Sequence, residues 1–180
     1  MRLIFLDYKK YRKYGGNLFT IVFLTQSFWA VFQYRIAHFV YKLPIPIVKH
    51  LLQIFCLFWQ KIIEITTGIS IPASAKIGHS FYIGHFGGII LNAKTTIGNN
   101  CNLSQGVTIG VSGLGDKRGV PVIGNNVYIG ANAVIIGKII IEDDVLIAAS
   151  SLVNSNVSKN SVMLGVPAIK ISDKSSEGYI

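Results

Sequence analysis

The sequence is poor in the residues that build metal centres and disulfide frameworks. Its 180 residues include only two cysteines, Cys56 and Cys101, with no CxxC spacing, and four histidines, the last of which is His85. A metal site of three converging histidines is therefore not expected in the later part of the chain, and we expect no bound metal. With no cleavable signal peptide evident, this cysteine usage predicts a reduced, cytoplasmic protein.

Acidic residues and long apolar runs are also scarce. Eight Asp and Glu face 17 Lys and Arg, and residues 1–64 carry +7 of the formal net charge of +9. This excess favours an anionic partner, but no recognisable nucleic-acid motif accompanies it, so we expect no nucleic acid to bind. The apolar run over 18–32 contains four polar residues and is short for a membrane span. We expect peripheral contact at most, through residues 1–45 at the inner face of the membrane.

Residues 1–68 predict a basic, apolar helical region. A basic lead-in covers 1–16, followed by a helix over 17–43 and a second helix over 47–66 that stops at Gly68. The first helix is apolar almost all round, so it needs to be covered by a partner subunit, by the rest of the chain or by lipid.

A six-residue repeat begins after this region. Aliphatic residues recur with only two slips, of two residues before Leu91 and of eight residues between Ile109 and Ile123. The aliphatic positions are Ile71, Ile77, Ile83, Leu91, Ile97, Leu103, Ile109, Ile123, Ile129, Ile135, Ile141, Ile147 and Val153. This period predicts a mostly β chain in which residues 69–171 form a parallel β-solenoid. We expect residues 172–180 to be a flexible tail.

If three hexads make one coil, residues 18 apart lie on one edge of the solenoid. Allowing for the slips, His85, Gln105, Ala131 and Ala149 share such an edge. Small side chains there would leave a groove of exposed backbone groups, suited to an extended ligand that carries amides. From the residues alone, a corner histidine that hydrogen-bonds to backbone is the favoured interpretation of His85. The eight-residue slip falls in a Gly-rich, charged loop over 110–121, which indicates a functional loop.

Four segments resemble a known family. Ile71-Pro-Ala-Ser-Ala-Lys-Ile-Gly, Gly84-His-Phe-Gly-Gly-Ile-Ile-Leu, Ser104-Gln-Gly-Val-Thr-Ile-Gly and Gly165-Val-Pro-Ala are similar to the hexapeptide-repeat acyltransferases, whose fold is a left-handed parallel β-helix. Within these, the chain resembles serine O-acetyltransferases and the related capsule or colanic-acid type polysaccharide O-acetyltransferases. The resemblance implies acetyl-CoA as co-substrate and an active site between the subunits of a homotrimer, or of a higher multiple. It also implies His85 as the catalytic base, with Ala131 and Ala149 beside the pantetheine arm.

The sequence departs from the serine acetyltransferase pattern at three positions. The Asp that precedes the family's histidine is Gly84 here, and an Arg-His pair of the expanded loop is replaced by Gly119 and Val120. The loop instead offers Lys117 and Arg118 in shifted positions, in a Lys-Arg-Gly-x-Pro pattern similar to the polysaccharide branch. This resemblance predicts a sugar hydroxyl as acceptor, on a small or lipid-linked saccharide in surface polysaccharide biosynthesis. Serine O-acetylation in cysteine biosynthesis is the alternative.

Further residues are candidates for binding the substrates. Asn92, Gln105, Lys117 and Arg118 are candidates for the acceptor, although a turn role fits Asn92 equally well. Lys138 and Lys170 could meet the phosphates of CoA, or remain solvated. A histidine base suits direct transfer of acetyl to a hydroxyl at neutral pH, with backbone N–H groups stabilising the oxyanion. A non-enzymatic structural trimer would require the His85 edge to be a coincidence.

Overall fold

The computed structural model describes residues 2–180 and begins with three α-helices. They are α1 (Arg2–Lys13), α2 (Gln26–Tyr41) and α3 (Pro46–Thr67), with a π-helical turn (Thr20–Leu24) before α2. The lead-in is therefore a helix, and the helix predicted over 17–43 is divided at Thr25, whose backbone is extended. The second predicted helix is confirmed and ends at Gly68, with φ of 66° in the left-handed region that glycine favours. Among the described residues, no helix combines the length and hydrophobicity needed to cross a membrane.

Helix α1 was missed because its buried face is polar. Asp7, Lys10 and Tyr11 are its buried residues, whereas Leu3 and Phe5 are exposed. An amphipathic pattern is normally identified from apolar residues on the buried face, and here two charged residues occupy that face. They are stabilised by partners far along the sequence, which no local pattern reveals.

The rest of the chain forms three parallel sheets of very short strands. The first sheet contains β1 (Ile69–Ser70), β4 (Ile89–Leu91), β7 (Thr108–Gly110), β10 (Val134–Ile136) and β13 (Leu152–Val153). The second contains β2 (Lys76–Ile77), β5 (Thr96–Ile97), β8 (Val122–Ile123) and β11 (Ile140–Ile141). The third contains β3 (Tyr82–Ile83), β6 (Asn102–Leu103), β9 (Tyr128–Ile129), β12 (Leu146–Ile147), β14 (Val162–Gly165) and the antiparallel β15 (Ala168–Ser172). From β1 to β13 every third strand belongs to the same sheet, so the chain winds as a three-sided prism.

The predicted repeat register is confirmed by burial. All thirteen repeat aliphatics point into the prism and are at most 7% exposed. The coils approach closely at the corners. A Cβ atom on Gly98 would lie 2.5 Å from the carbonyl oxygen of Gly124 in the next coil. A side chain at this corner would therefore force the coils apart, which explains the glycine in the second position of the repeat.

A buried ion pair attaches the helices to the first coil. The Arg35 guanidinium donates to both carboxylate oxygens of Asp7 at 2.7 and 3.1 Å, and to the carbonyl oxygens of Ile77 and Gly78 at 2.7 and 2.6 Å. The Phe81 N–H donates to Asp7 at 2.8 Å. Burial raises the pKa of Asp7, while Arg35 and the Phe81 N–H oppose that shift. The pair therefore fixes α1 and α2 to one corner of the prism.

The segment after β15 packs along that same corner. The Ser176 N–H donates to the Asp144 carbonyl at 3.1 Å, and the Ser176 hydroxyl donates to the Asn126 carbonyl. Further on, the Tyr179 carbonyl accepts from Asn102 at 3.0 Å and from the Tyr14 hydroxyl at 3.3 Å. The predicted flexible tail thus lies across successive coils and reaches the end of α1. Its polar sequence hydrogen-bonds to the corner backbone, a contact that composition does not reveal.

Candidate functional site

One edge of the prism carries the predicted catalytic histidine. In the third sheet, Ile83 pairs with Leu103, Leu103 with Ile129 and Ile129 with Ile147. The residues two positions after these aliphatics therefore stack in register on one corner. They are His85, Gln105, Ala131 and Ala149, and we call this corner the His85 edge. The stacking order predicted from the repeat is confirmed.

His85 lies in a wider turn than the residues stacked with it. The two-residue slip of the repeat falls in this turn, where Gly87 has φ of 104° and Gly88 φ of 68°. A glycine is needed at Gly87 because other residues rarely adopt that conformation. The wider turn leaves His85 and Phe86 exposed. Among residues 2–180, His85 has no side-chain hydrogen-bond partner, so its ring is free to contact a ligand.

A second corner has the same geometry but is closed by side chains. There, the residues two positions after the aliphatics are His79, Asn99, Asn125 and Asp143, and we call this corner the Asn99 edge. The His79 N–H donates to Asn99 Oδ1 at 3.0 Å, the Asn99 N–H to Asn125 Oδ1 at 2.8 Å, and the Asn125 N–H to Asp143 Oδ1 at 2.6 Å. The N–H groups of His79, Asn99 and Asn125 are thus each satisfied by a side chain of the neighbouring coil.

The His85 edge leaves the equivalent donors open. Within the described part of the chain, the N–H groups of Gln105, Ala131 and Ala149 donate no hydrogen bond. The alanines have no side-chain oxygen to offer them, and they leave the corner half-exposed or exposed. A row of unpaired N–H groups beside a free histidine suits an extended ligand that carries carbonyl groups. The same donors could stabilise an oxyanion.

The other predicted acceptor residues lie on the third corner, across the first sheet. Asn92 is in the turn after β4, where its Oδ1 accepts from the Lys94 N–H at 2.9 Å, so its turn role is present. The expanded loop leaves the same corner after β7 and contains a 3₁₀ turn (Gly115–Lys117). The strands between this corner and the His85 edge have two or three residues, a width of roughly 10 Å. One chain therefore does not bring Asn92, Lys117 or Arg118 next to His85.

The third corner also contains a cavity and one of the predicted phosphate-binding lysines. A cavity of about 440 Å³ lies between the loop and the turn after β10, with Asp116, Lys117 and Lys138 in its lining. Lys138 donates to the Asp116 carbonyl at 3.2 Å. The lysine therefore supports the base of the loop. Lys117 and Arg118 are exposed and form no ion pair with any residue that the structure describes.

Lys170 lies neither on the His85 edge nor at the third corner beside the expanded loop. It lies on β15 opposite Met163 and forms an ion pair with Asp173.

The remaining histidines have local roles. His38 Nδ1 is 2.7 Å from the Ala73 carbonyl oxygen, and burial lowers the pKa of His38. Over residues 2–180, no three His, Cys, Asp or Glu side chains are grouped as metal ligands.

Sequence reasoning missed the contrast between the two edges. The signal was present as Asn and Asp residues at every third hexad, which line up as Asn99, Asn125 and Asp143 on one corner. Comparing the two rows would have shown which corner is capped and which is open. The open N–H groups themselves belong to the backbone and depend on the fold.

Comparison with known proteins identifies the family. The bacterial transferase hexapeptide family (six repeats) matches residues 121–155. The serine acetyltransferase of Helicobacter pylori strain J99 is 31% identical over 152 residues, which cover 84% of this chain and 85% of that protein. The chain belongs to the serine acetyltransferase family. The serine acetyltransferase of Synechococcus elongatus is 30% identical over 141 residues, 78% of this chain. The chain spans only 55% of that protein's length.

A solved member of this family supports the fold and the co-substrate. A serine acetyltransferase in complex with CoA superposes with a TM-score of 0.80 at 27% identity, over 94% of this chain and 68% of that one. The predicted left-handed parallel β-helix with an N-terminal helical region is confirmed. The predicted acyltransferase class and acetyl-CoA as co-substrate are also confirmed for the family.

The predicted sugar acceptor and polysaccharide pathway are wrong. The similar proteins and structures are serine acetyltransferases, which agrees with the alternative function of the sequence analysis. The resemblance to polysaccharide O-acetyltransferases rested on a short loop pattern and on the substitutions at Gly84, Gly119 and Val120. Those changes alter three side chains, while the similarity to a serine acetyltransferase extends over 84% of this chain.

Proposed function

We propose that this chain transfers the acetyl group of acetyl-CoA to the hydroxyl of L-serine. The observation that carries this proposal is the His85 edge, a free histidine at one end of a row of open backbone donors, in a member of the serine acetyltransferase family. The edge fits the pantetheine arm, whose amide carbonyls can accept from the N–H groups of Ala131 and Ala149. Gln105, between His85 and these alanines, is a candidate to hydrogen-bond the acceptor.

In the proposed reaction, His85 acts as the general base. Its ring takes the proton of the serine hydroxyl as the oxygen attacks the thioester carbonyl carbon. Open N–H groups of the edge stabilise the resulting oxyanion. The carbon–sulfur bond then breaks, the CoA thiolate leaves, and the proton held by His85 passes to the sulfur. Atoms and charges balance without an acyl-enzyme, so transfer is direct.

We further propose that the complete site needs two copies of the chain, in a homotrimer. The His85 edge and the loop with Lys117 and Arg118 lie at opposite borders of the first sheet, so only a neighbouring copy can bring one beside the other. These two cations are exposed, and they can bind the serine carboxylate in place of the clamp that Gly119 and Val120 lack. Lys138 and Lys170 remain candidates for the phosphates of CoA, although both already have partners in the chain.

Release of CoA from acetyl-CoA in the presence of L-serine tests the reaction. His85→Ala should reduce kcat by about 10²- to 10⁴-fold, without a change in the unfolding midpoint because the ring is exposed. His79→Ala is the matched control, because His79 is the equivalent exposed residue of the same coil on the Asn99 edge. It should retain wild-type activity. Turnover with another hydroxyl compound but none with L-serine would overturn the choice of acceptor.

Mixed oligomers test the shared site. His85→Ala chains and Lys117→Ala/Arg118→Ala chains, each inactive alone, are co-expressed with different tags and purified through both. If each site uses both edges from different copies, activity should return at about one site in three, because a doubly tagged trimer contains both kinds of chain and so has one interface with both edges intact. No recovery in a doubly tagged oligomer would show that each chain carries its own complete site.

Peripheral membrane contact through residues 1–45 stays a prediction. Helix α1 has exposed basic residues that support it, but its buried face is packed on the β-helix through Asp7. Removal of these residues would therefore disturb the fold as well as any membrane contact.

A further inference from the structure

Helix α3 exposes an apolar stripe along its whole length. Only Cys56, Ile63 and Thr67 of its 22 residues are buried. On the opposite side, apolar side chains recur every three or four residues and are 54 to 84% exposed. They are Ile47, Leu51, Ile54, Phe55, Phe58, Ile62 and Ile65. A monomeric soluble protein rarely leaves a continuous stripe of this kind uncovered.

The stripe continues onto α2 and the turn before it. The rings of Phe55 and Trp59 are 6.2 Å apart, and Trp59 lies 6.1 Å from Phe32 of α2. Phe32 lines an almost wholly apolar groove of about 640 Å³, together with Phe5 and Val22. Exposed Phe19, just before the π-helical turn, and exposed Phe23 within it extend the same side. We call the α3 stripe, this groove and the π-helical turn together the apolar helical face.

Positive charge borders this face, and negative charge is almost absent from it. Arg2, Lys9, Arg12, Lys13, Lys42 and Lys61 are exposed, and Lys49 is half-exposed. Two of these cations lie over aromatic rings of the helices, Lys9 at 4.7 Å from the centre of Phe5 and Lys49 at 5.2 Å from Tyr41. The two acidic residues of the helices already have partners. Asp7 forms an ion pair with Arg35. Glu64 forms an ion pair with Lys61 and accepts hydrogen bonds from Gln60 and Ser70.

We propose that the apolar helical face binds the surface of an anionic lipid bilayer. The helices would lie in the plane of the interface, with the phenylalanines among the acyl chains and the lysines at the phosphates. A second copy of the chain is the less favourable occupant, because two such faces would place like charges against each other with no free carboxylate to offset them. This inference is independent of the proposed acetyl transfer, because the face does not include the His85 edge.

Both tryptophans of the chain report on this face. Trp29 follows the π-helical turn and donates to the Val22 carbonyl at 2.8 Å, and Trp59 is on α3, so residues 69–180 contribute no tryptophan signal. The full-length protein is mixed with vesicles of phosphatidylcholine, with and without about one third phosphatidylglycerol. Binding is measured by co-sedimentation and by tryptophan emission. We expect binding and a blue shift with the anionic vesicles only, both lost at about 0.5 M salt.

Variants separate the apolar and the electrostatic contributions. The double substitution Phe55→Ser/Phe58→Ser should weaken vesicle binding by at least about a hundredfold, because it removes two highly exposed aromatic rings. Ile169→Ser/Ile171→Ser is the matched control, because it removes two exposed apolar side chains from β15. Lys9→Gln/Lys49→Gln should weaken binding by roughly tenfold to thirtyfold.

A second control removes positive charge away from the apolar helical face. Lys94→Gln/Lys174→Gln removes the same charge from exposed positions of the β-helix and of the segment after β15, and it should bind as the wild type does. Equal sedimentation with neutral and anionic vesicles, or none with either, would overturn the proposal. If Phe55→Ser/Phe58→Ser instead reduces the oligomer size in a vesicle-free solution, the face is a contact between copies. CoA release by the soluble fraction is measured alongside, so failure of lipid binding is distinguished from failure of catalysis.

Discussion

Ala149→Leu tests whether the open row of N–H groups binds acetyl-CoA. The substitution places three more carbon atoms on the His85 edge, where Ala149 is exposed and its own N–H is unpaired. A ligand displaced from this part of the edge would lose the hydrogen bonds to Ala131 and Ala149. At about 1 kcal/mol for each hydrogen bond, the loss is about 2 kcal/mol, or about 30-fold in affinity.

The assay compares the two substrates of the proposed reaction. Calorimetric titration of CoA and initial rates of CoA release should both show the 30-fold effect on the donor, while KM for L-serine stays unchanged. Lys159→Leu is the control, because Val157 bridges to Ile141 and so places Lys159 on the Asn99 edge, next to Asp143. It should bind CoA normally. If Ala149→Leu binds CoA as tightly as the wild type does, the edge is not the donor site.

Three further predictions concern the parts of the fold that support the site. Arg35→Met should cost about 3 to 5 kcal/mol in urea unfolding, because it leaves Asp7 buried without its partner, and Asp7→Asn in the same chain should recover part of this loss. Burial lowers the pKa of Lys10 from its ordinary value of 10.5 to about 8, so the folded protein binds fewer protons than the unfolded chain between these values. The free energy of unfolding should therefore rise with pH over this range, by about 1 kcal/mol because solvent partly screens the charge of Lys10. Lys10→Met should abolish this rise. Gly87→Ala should cost about 1 to 3 kcal/mol of stability or displace the His85 turn, because φ of 104° is unfavourable for alanine; unchanged urea unfolding together with unchanged kcat would contradict this.

The β-helix was predictable because its repeat is a local signal. From Ile71 to Val153 the aliphatics recur every six residues apart from two slips, and each slip marks a real change in the corner, the His85 turn in one case and the loop in the other. The helical region was predicted only in part. The Asp7 carboxylate binds the Arg35 guanidinium and the Phe81 N–H, residues 28 and 74 positions away, and no local periodicity encodes such contacts.

The candidate site was predictable to the same extent as its scaffold. Register placed His85, Gln105 and both alanines on one corner, because stacking follows directly from counting hexads. It did not place Lys117 and Arg118, because a loop that leaves a rigid scaffold has no register to follow. The acceptor was wrongly assigned for a related reason. The departures from the serine acetyltransferase pattern change individual contacts, whereas the family relationship rests on similarity over 84% of this chain.

The tail along the Asn99 edge changes how the repeat domain can unfold. In a solenoid whose coils contact only their neighbours, each end opens independently of the other. Here Ser175 is bonded to Asn160 near the last coil, and the Tyr179 carbonyl accepts from Tyr14 at the end of α1. The tail therefore connects the last coil to the helix that packs on the first coil. Opening of either end must break the hydrogen bonds of the tail. The two ends should therefore lose amide protection together, and the domain should unfold as one cooperative unit.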